Sequence, residues 1–295
     1  MKDKRKREEA ISGYLFMLPS LIVFFTLILF PVVFSAFLSL TSWNFTSGLS
    51  GIRFIGINNF KDLLTDKMFK FGFRNTLVYT FTVVPVSIVI SVVIAYCLND
   101  KVYGKRSLRT AFFIPYISNA VALATLFKFM FRNEGPVNVV INNIFNISRP
   151  IRWLTNNDLN KIPIILLLIW TAIGYEMIVY MSAMQNVPTD LYEAAEIDGA
   201  GKTKQFFRIT LPLISPTTFF LMIIEMIATF KVFTAVNIIS GNGRGNTSII
   251  AQIYVEAFSN YKFGYASAEA WILFVVIMLF TAAQFWGKTK WVYNN

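Results

Sequence analysis

Polar residues inside long apolar stretches are the first place to look for chemistry in this sequence. Glu225, Thr229 and Val232 are spaced i, i+4, i+7, which places them on one stripe of a helix. Tyr116 and Asn119, three residues apart, begin a second stripe. A charged side chain at the bilayer centre costs about 2.5–3.5 kcal/mol on an insertion scale, so Glu225 is expected to face a wet cavity or a partner.

Another apolar stretch adds Trp170 and Thr171, with Glu176 further along it. Hydroxyl, carboxylate and aromatic groups of this kind recognise a solute by hydrogen bonding and by stacking. Membrane tyrosines and tryptophans also serve in helix packing and at the lipid interface, so a packing role for Tyr116 and Trp170 stays open as the alternative.

Residues suited to making and breaking bonds are scarce. The chain has no histidine, which removes the commonest general base and metal ligand at neutral pH. Its single cysteine, Cys97, cannot form an intrachain disulfide or, alone, a cysteine-rich metal site. The stretch 199–203 reads GAGKT, but a phosphate-binding loop needs a glycine five positions before Gly201, where Glu196 stands. We therefore expect no enzyme activity and no cofactor, metal or ATP bound by this chain.

The composition indicates a membrane protein with several spans. Of the 295 residues, 55% are hydrophobic and 15% are charged, and the mean hydropathy is +0.56. Soluble domains carry about 25% charged residues, so this chain lacks the groups to cover a water-facing surface. A disordered chain, a secreted disulfide scaffold and a soluble α/β enzyme are excluded. The net charge of +11 is more typical here of basic loops facing an anionic cytoplasmic leaflet than of nucleic-acid binding.

Six apolar stretches can place these polar residues inside a membrane. A helix needs about 20 residues to cross a hydrocarbon core of about 30 Å, and helices satisfy their own backbone groups there. We therefore predict an all-α integral membrane fold with six transmembrane helices, in a single domain over 13–295 that follows a basic cytoplasmic segment at 1–12. The expected spans are 13–40, 76–98, 111–131, 162–187, 213–235 and 270–286.

The N-terminal segment 1–12 carries five Lys and Arg residues and precedes an apolar run too long for the core of a signal peptide. We expect an uncleaved anchor that is either kinked at Pro19 and Pro31 or has its outer part lying along the membrane interface. Lys and Arg number 14 in the 57 loop residues on the N-terminal side and 11 in the 99 loop residues on the other side. This higher basic density predicts that both termini are cytoplasmic.

The cytoplasmic loop after the fourth stretch, 185–213, is the most informative segment. Pro188 is suited to ending the membrane helix. Asp190, with Glu193 three positions later, predicts a capping box at the start of a short helix. Gly199 and Gly201 predict the end of that helix, because glycine adopts a positive φ at little cost.

A second short helix is expected over 202–209, so that the loop presents two helices joined at glycine. The small side chains of Ala194 and Ala195 allow another protein to approach the helix closely. Glu193 and Asp198 supply negative charge for a basic partner. An ordinary amphipathic connector lying on the membrane surface is the alternative.

The same segment resembles the EAA loop of ABC importer permeases, through EAA at 193–195, DG at 198–199 and ITLP at 209–212. The longer string 185–212 is similar to the carbohydrate-uptake branch, of maltose and multiple-sugar type, as are YLFMLP, FIGINNF and FGYASA elsewhere in the chain. The resemblance covers nearly the whole sequence. One departure is GNGRGN at 241–246, where that family often has Gly-Gly-Gly-Pro.

The resemblance implies a transport subunit in a bacterial cell membrane, without ATPase activity of its own. Two related permeases would form the pathway, two ATP-binding cassette subunits would hold ATP and Mg²⁺, and an extracytoplasmic sugar-binding protein would deliver a sugar or oligosaccharide. The partners would be these subunits and the lipid bilayer, with no nucleic acid. Closure of the ATPases would switch the pore from inward-open to outward-open.

The resemblance also implies roles for residues. The contact with the ATPase would be made by the coupling residues Glu193, Ala194, Ala195, Asp198, Gly199, Leu211 and Pro212. The substrate pathway would include Tyr116, Trp170 and Thr229, to which the helical stripes and the fourth apolar stretch add Asn119, Thr171, Glu225 and Val232. The alternative functions are an ABC importer for another solute, such as glycerol phosphate or a peptide, and an autonomous channel or secondary carrier.

Overall fold

The computed structural model describes residues 2–99, 103–146, 149–156, 159–240 and 246–293. Over these residues the expected all-α fold is confirmed. The helices are α1 (Lys2–Val23), α2 (Phe30–Ser39), α3 (Asn58–Leu63), α4 (Lys67–Asn99), α5 (Lys105–Ile117), α6 (Ala120–Met130), α7 (Pro136–Phe145), α8 (Ile162–Gln185), α9 (Thr189–Ile197), α10 (Lys202–Gln205), α11 (Leu211–Leu213), α12 (Ser215–Phe230), α13 (Thr234–Ser240), α14 (Ile249–Tyr254) and α15 (Phe263–Trp291). Longer π-helical turns occupy Phe24–Leu29, Phe206–Thr210 and Val255–Ser259.

Four helical segments are long and apolar enough to cross a membrane, by length and composition: Ile11–Ser39, Lys67–Asn99, Ile162–Gln185 and Phe263–Thr289. Two further helix pairs pass the same test together but are bent, α5 with α6 by 97° and α10–α11 with α12 by 64°. The described residues therefore provide four membrane-sized helices, or up to six if each bent pair is one span.

The third expected stretch, 111–131, is divided between α5 and α6. Ser118 leaves the helix with an extended backbone, and the Asn119 side chain accepts hydrogen bonds from the N–H groups of Val121 and Ala122, at 2.8 and 3.3 Å. Asparagine at this position satisfies the first free N–H groups of a helix, so a new helix begins here at a new angle. Apolar composition alone does not predict such a cap.

The fifth expected stretch, 213–235, stops being a helix at the end of α12. Beyond that end, the Val232 carbonyl accepts a hydrogen bond from Ser248 Oγ at 2.7 Å instead of continuing the helical ladder. The predicted stripe therefore ends with Glu225 and Thr229, and the i+7 placement of Val232 on the same helix is wrong. A hydroxyl donor distant in sequence takes the place of the next helical turn.

The first apolar helix remains helical through both of its prolines. Pro19 lies inside regular α1, and the irregularity falls instead in the π-helical turn Phe24–Leu29, just before Pro31. A proline in a helix has no N–H and crowds the carbonyl four residues back, which a wider turn accommodates. At the other end of the chain, α15 begins at Phe263, earlier than the expected stretch 270–286.

Packing divides the chain into two compact units, of which the larger comprises 67–252 and 273–295. Its most extensive helix interface joins α4 and α8. Glu176 lies in this interface, 1% exposed, where its carboxylate accepts hydrogen bonds from Ser87 at 3.0 Å and Ser91 at 2.7 Å. Donors of this kind are needed because a buried charge without partners is strongly destabilising.

Helices α5 and α8 approach each other closely at Gly174. A Cβ at this position would lie 2.5 Å from the Phe112 backbone oxygen and 3.1 Å from the Phe113 Cα. Only glycine fits at that separation, since the neighbouring atoms belong to backbone. The contact holds the end of α5, which carries Tyr116, against α8.

The smaller unit comprises 1–66 and 253–272. Within it, the buried Asn59 side chain donates hydrogen bonds of 2.8 Å to the carbonyls of Ser39 and Thr41. These bonds tie α3 to the end of α2, so the segment that follows the first apolar helix is folded back onto it.

Candidate functional site

A groove of about 280 Å³ lies among α5, α6, α8 and α12 in the larger unit. Four residues that the sequence singled out separately line it together: Tyr116, Thr171, Glu225 and Thr229. Its remaining lining consists of small, apolar or hydroxyl side chains, namely Pro115, Ser118, Ala120, Leu123, Leu168, Ala172 and Ala228. The groove therefore combines a carboxylate, hydroxyls and an aromatic ring with apolar walls.

Glu225 and Thr229 form a local pair on α12, one helical turn apart. The Thr229 hydroxyl donates to the Glu225 backbone carbonyl at 2.7 Å and lies 3.4 Å from Glu225 Oε1. Thr229 is 2% exposed, whereas Glu225 is half-buried. The carboxylate is thus the polar group of α12 that a solute in the groove can reach most easily.

Tyr116 presents an aromatic surface at the end of α5. Its ring stacks on Tyr175 with centroids 5.2 Å apart and planes inclined by 20°, and the residue is 48% exposed. Sequence reasoning missed Tyr175, although it follows Thr171 by one helical turn on α8 and that spacing predicts a shared face. The stacked pair fixes the orientation of the ring that borders the groove.

The other three pathway candidates lie elsewhere. Asn119 uses its side-chain oxygen to cap α6, and Trp170 packs on Phe127 with ring centroids 5.7 Å apart. Val232 lines a second cavity, of about 210 Å³, which shares Thr171 with the first. Asn119 and Trp170 are absent from the described lining of both cavities, which fits the packing alternative for Trp170.

The segment expected to couple to an ATPase forms a short helix, α9, that ends at a left-handed glycine. Gly199 has φ +73°, and its N–H donates to the Glu196 carbonyl at 3.0 Å. The next N–H, of Ala200, donates to the Ala195 carbonyl at 2.8 Å. These bonds close the last turn of α9 and set the direction in which the chain leaves it.

The start of α9 differs from the expected capping box. The helix begins at Thr189, directly after Pro188, and no side chain caps it. Asp190 lies inside the first turn, where a negative charge is favourable next to the free N–H groups. Proline in an extended conformation precedes the helix start here, so the expected cap, Asp190, lies two residues after the observed N-cap position, Pro188.

The predicted coupling residues lie mostly at the surface of this chain. Glu193, Ala194, Asp198, Gly199 and Pro212 are exposed, and Ala195 and Leu211 are half-buried. Ile197, at the end of α9, is 88% exposed.

Two hydrogen bonds tie the arms of this loop together. The hydroxyls of Tyr192 on α9 and Thr210 are 2.8 Å apart, and Gln205 Nε2 donates to the Ala200 carbonyl at 3.1 Å. The second expected helix, 202–209, is α10 followed by a π-helical turn. Together α9, α10 and α11 form one bonded element between α8 and α12.

The stretch in which the sequence departs from the family pattern, 241–246, lies outside the described residues except for its last member. Asn246 is buried, accepts a hydrogen bond from the Tyr79 hydroxyl and donates to the Asn160 carbonyl at 2.8 Å. The described end of that loop is therefore attached to α4.

The four to six membrane-sized helices of the described residues indicate a multi-pass membrane protein. Residues 69–287 match the binding-protein-dependent transport system inner membrane component family, and the chain belongs to that family. The resemblance to importer permeases is thereby confirmed.

Curated relatives align over nearly their full length. The chain is 32% identical to the probable ABC transporter permease protein YesP of Bacillus subtilis, over 99% of this chain and 95% of that protein. It is 31% identical to the lactose transport system permease protein LacF of Rhizobium radiobacter, over 98% of each. It is 28% identical to the sn-glycerol-3-phosphate transport system permease protein UgpA of Yersinia pestis, over 92% of each.

Solved structures share the fold. A bacterial ABC transporter involved in the import of the acidic polysaccharide alginate matches with a TM-score of 0.82 and 22% identity, over 96% of this chain and 97% of that chain. A bacterial alginate ABC transporter in complex with an alginate pentasaccharide-bound periplasmic protein matches with a TM-score of 0.81 and 22% identity, over 96% of this chain and 95% of that chain. At this identity the likeness concerns the fold.

Proposed function

We propose that this chain is a permease subunit of an ATP-driven importer that takes up sugars or oligosaccharides from a binding protein. The observation that carries the proposal is the groove where Tyr116, Thr171, Glu225 and Thr229 meet. A ring face for stacking beside a carboxylate and hydroxyls for hydrogen bonding is the combination that a polyhydroxylated solute requires. The naming of LacF for lactose supports a sugar over other solutes.

The subunit contributes one half of a translocation pathway in the bacterial inner membrane, with both termini in the cytoplasm. A second, homologous permease supplies the other half. Two ATP-binding cassette subunits hold ATP and Mg²⁺, and an extracytoplasmic sugar-binding protein delivers the solute. The family name and the complex of the alginate transporter with its periplasmic protein support the last of these partners.

Helix α9 and its glycine are the coupling element in this proposal. Ala194 and Ala195 allow close packing in a cleft of the ATPase, and Glu193 pairs with a basic group there. Gly199 sets the angle between the two arms of the loop, whose Tyr192–Thr210 contact keeps them together. Asp198, Leu211 and Pro212 complete the element. Closure of the ATPases then displaces α9 and switches the pathway between inward-open and outward-open.

The proposal is tested by isolating the complex through a tag on this chain. We expect an ATP-hydrolysing subunit, a second permease and a binding protein to be co-isolated, and the reconstituted complex to hydrolyse ATP faster when a saccharide-loaded binding protein is added. Glu193→Ala is expected to weaken retention of the ATPase, whereas Glu134→Gln, on an exposed turn away from α9, leaves it unchanged. Solute transport by the purified chain alone, without any ATPase, would contradict the proposal.

An importer for glycerol phosphate is the second candidate, since UgpA aligns along the chain. The two candidates differ in the charge of the solute.

A further inference from the structure

We infer that the groove of this chain selects uncharged saccharides over anionic solutes, with Glu225 as the residue that sets this preference. The inference rests on the sugar-importer function proposed above and narrows its substrate class. It concerns the half of the pathway that this chain supplies.

The described lining of the groove contains one carboxylate and no cationic side chain. Glu225 is the only charged residue among the described residues that line either of the two adjoining cavities. Behind it, the buried Glu176 lies within electrostatic range of Glu225. Ser87 and Ser91 donate to both oxygens of Glu176, so this second carboxylate is held in place without reaching the solute.

An anionic solute would find no compensation in these surroundings. Entering the groove removes part of its hydration shell, and a desolvated charge needs a counter-charge or strong donors to remain there. The walls supply apolar surface, and the carboxylate of Glu225 opposes a second negative charge. Alginate and glycerol phosphate are both anionic, so the inference separates this chain from the transporters that it resembles and that are named for those solutes.

An uncharged saccharide loses much less hydration free energy than an anion when it enters the groove. Its hydroxyls exchange water for Glu225 as acceptor and for the hydroxyl of Ser118, while its C–H faces can lie against the Tyr116 ring. A carboxylate that accepts hydrogen bonds from neutral hydroxyls makes stronger bonds than a neutral acceptor does. The same residue therefore favours neutral solutes and disfavours anions.

The cations nearest in sequence are placed elsewhere. Lys231 is exposed at the end of α12, and Lys128 is half-buried on α6. Neither belongs to the described lining of the cavities. Lys231 can be tested directly, because Lys231→Gln removes a positive charge beyond the groove.

The first arm of the test identifies the charge class of the solute. The intact importer, isolated through this chain and reconstituted with its binding protein, is offered neutral gluco-, galacto- and xylo-oligosaccharides, alginate and galacturonate oligosaccharides, and sn-glycerol 3-phosphate. We expect a neutral saccharide to stimulate ATP hydrolysis at least tenfold more than any anion. The strongest stimulation by an anion would overturn the inference, and no stimulation by any saccharide would overturn the proposed sugar function itself.

The second arm assigns the preference to Glu225. Binding of the neutral saccharide and of its uronate counterpart, in which one CH₂OH is a carboxylate, is measured on the complex without its binding protein. The wild type is expected to prefer the neutral sugar at least tenfold, and Glu225→Lys to reduce that ratio at least tenfold. Glu225→Gln keeps the side-chain shape and is expected to reduce the ratio without adding a cation.

Two controls make this arm decisive. Glu134→Gln removes the same charge from an exposed turn, and Lys231→Gln removes a cation beyond α12; both are expected to keep the wild-type ratio. An unchanged ratio in both Glu225 variants, or a ratio that shifts as much in Glu134→Gln, would refute the assignment to Glu225.

Discussion

Replacing Gly199 with valine tests whether the bend after α9 transmits movement to the pathway. Gly199 has φ +73°, and no heavy atom outside its two chain neighbours lies within 4 Å of the position that its Cβ would take. The cost is therefore conformational and not steric, about 1–2 kcal/mol for holding a side chain in the left-handed region. A penalty of that size lowers the ratio of bent to unbent loop about 5- to 30-fold, and we expect uptake to fall by up to that factor.

The matched control is Gly201→Val. Gly201 has φ −66° and ψ 163°, a conformation that valine adopts, and its surroundings are equally open. Gly199→Asn is expected to fall between wild type and Gly199→Val, because asparagine tolerates the left-handed region better. ATP hydrolysis and solute uptake are measured in the same proteoliposomes. Full uptake by Gly199→Val, or equal loss in Gly199→Val and Gly201→Val, would refute the role of the bend.

Three further changes test the packing and the groove. Glu176→Ala should lower the free energy of unfolding by about 1–3 kcal/mol, because two serine hydroxyls lose a buried acceptor. Thermal unfolding in detergent measures this change, and Glu176→Gln should lower the free energy of unfolding by less. Gly174→Ala should lower the melting temperature, since its Cβ would lie 2.5 Å from a backbone oxygen of α5, whereas Gly287→Ala, in open surroundings, should not. Tyr116→Ala should weaken saccharide binding to the complex and Tyr116→Phe should retain it; equal loss in both would assign the contribution to the hydroxyl.

The spacing of residues in the sequence predicted those features of the structure that are formed within a single helix. Glu225 and Thr229 were expected on a shared stripe, and they lie one turn apart in the same groove. The left-handed conformation at Gly199 was likewise expected, because few other residues end a helix in that way, although Gly201, named with it, has φ −66°. Both features follow from backbone geometry within a few residues.

Features that depend on distant partners could not be predicted in this way. Val232 lies beyond the end of α12, where its carbonyl accepts a hydrogen bond from Ser248, and no periodicity within the fifth stretch reveals that donor. The 97° bend between α5 and α6 depends on the use of Asn119 as a cap, whereas its place on a polar stripe suggested a solute contact. The stacking of Tyr116 on Tyr175 required knowledge of which faces of α5 and α8 meet.

Helix α9 lies in the chain between two helices that line the groove. Helix α8 carries Thr171 in the groove and continues to Gln185, just before α9, while α12 carries Glu225 and follows α11. The helix from Thr171 to Gln185 is about 21 Å long at 1.5 Å per residue. The contact between Tyr192 and Thr210 joins the two arms of the loop, so a force on α9 reaches both helices together. A partner that grips α9 would therefore move two walls of the groove together, without any further moving part.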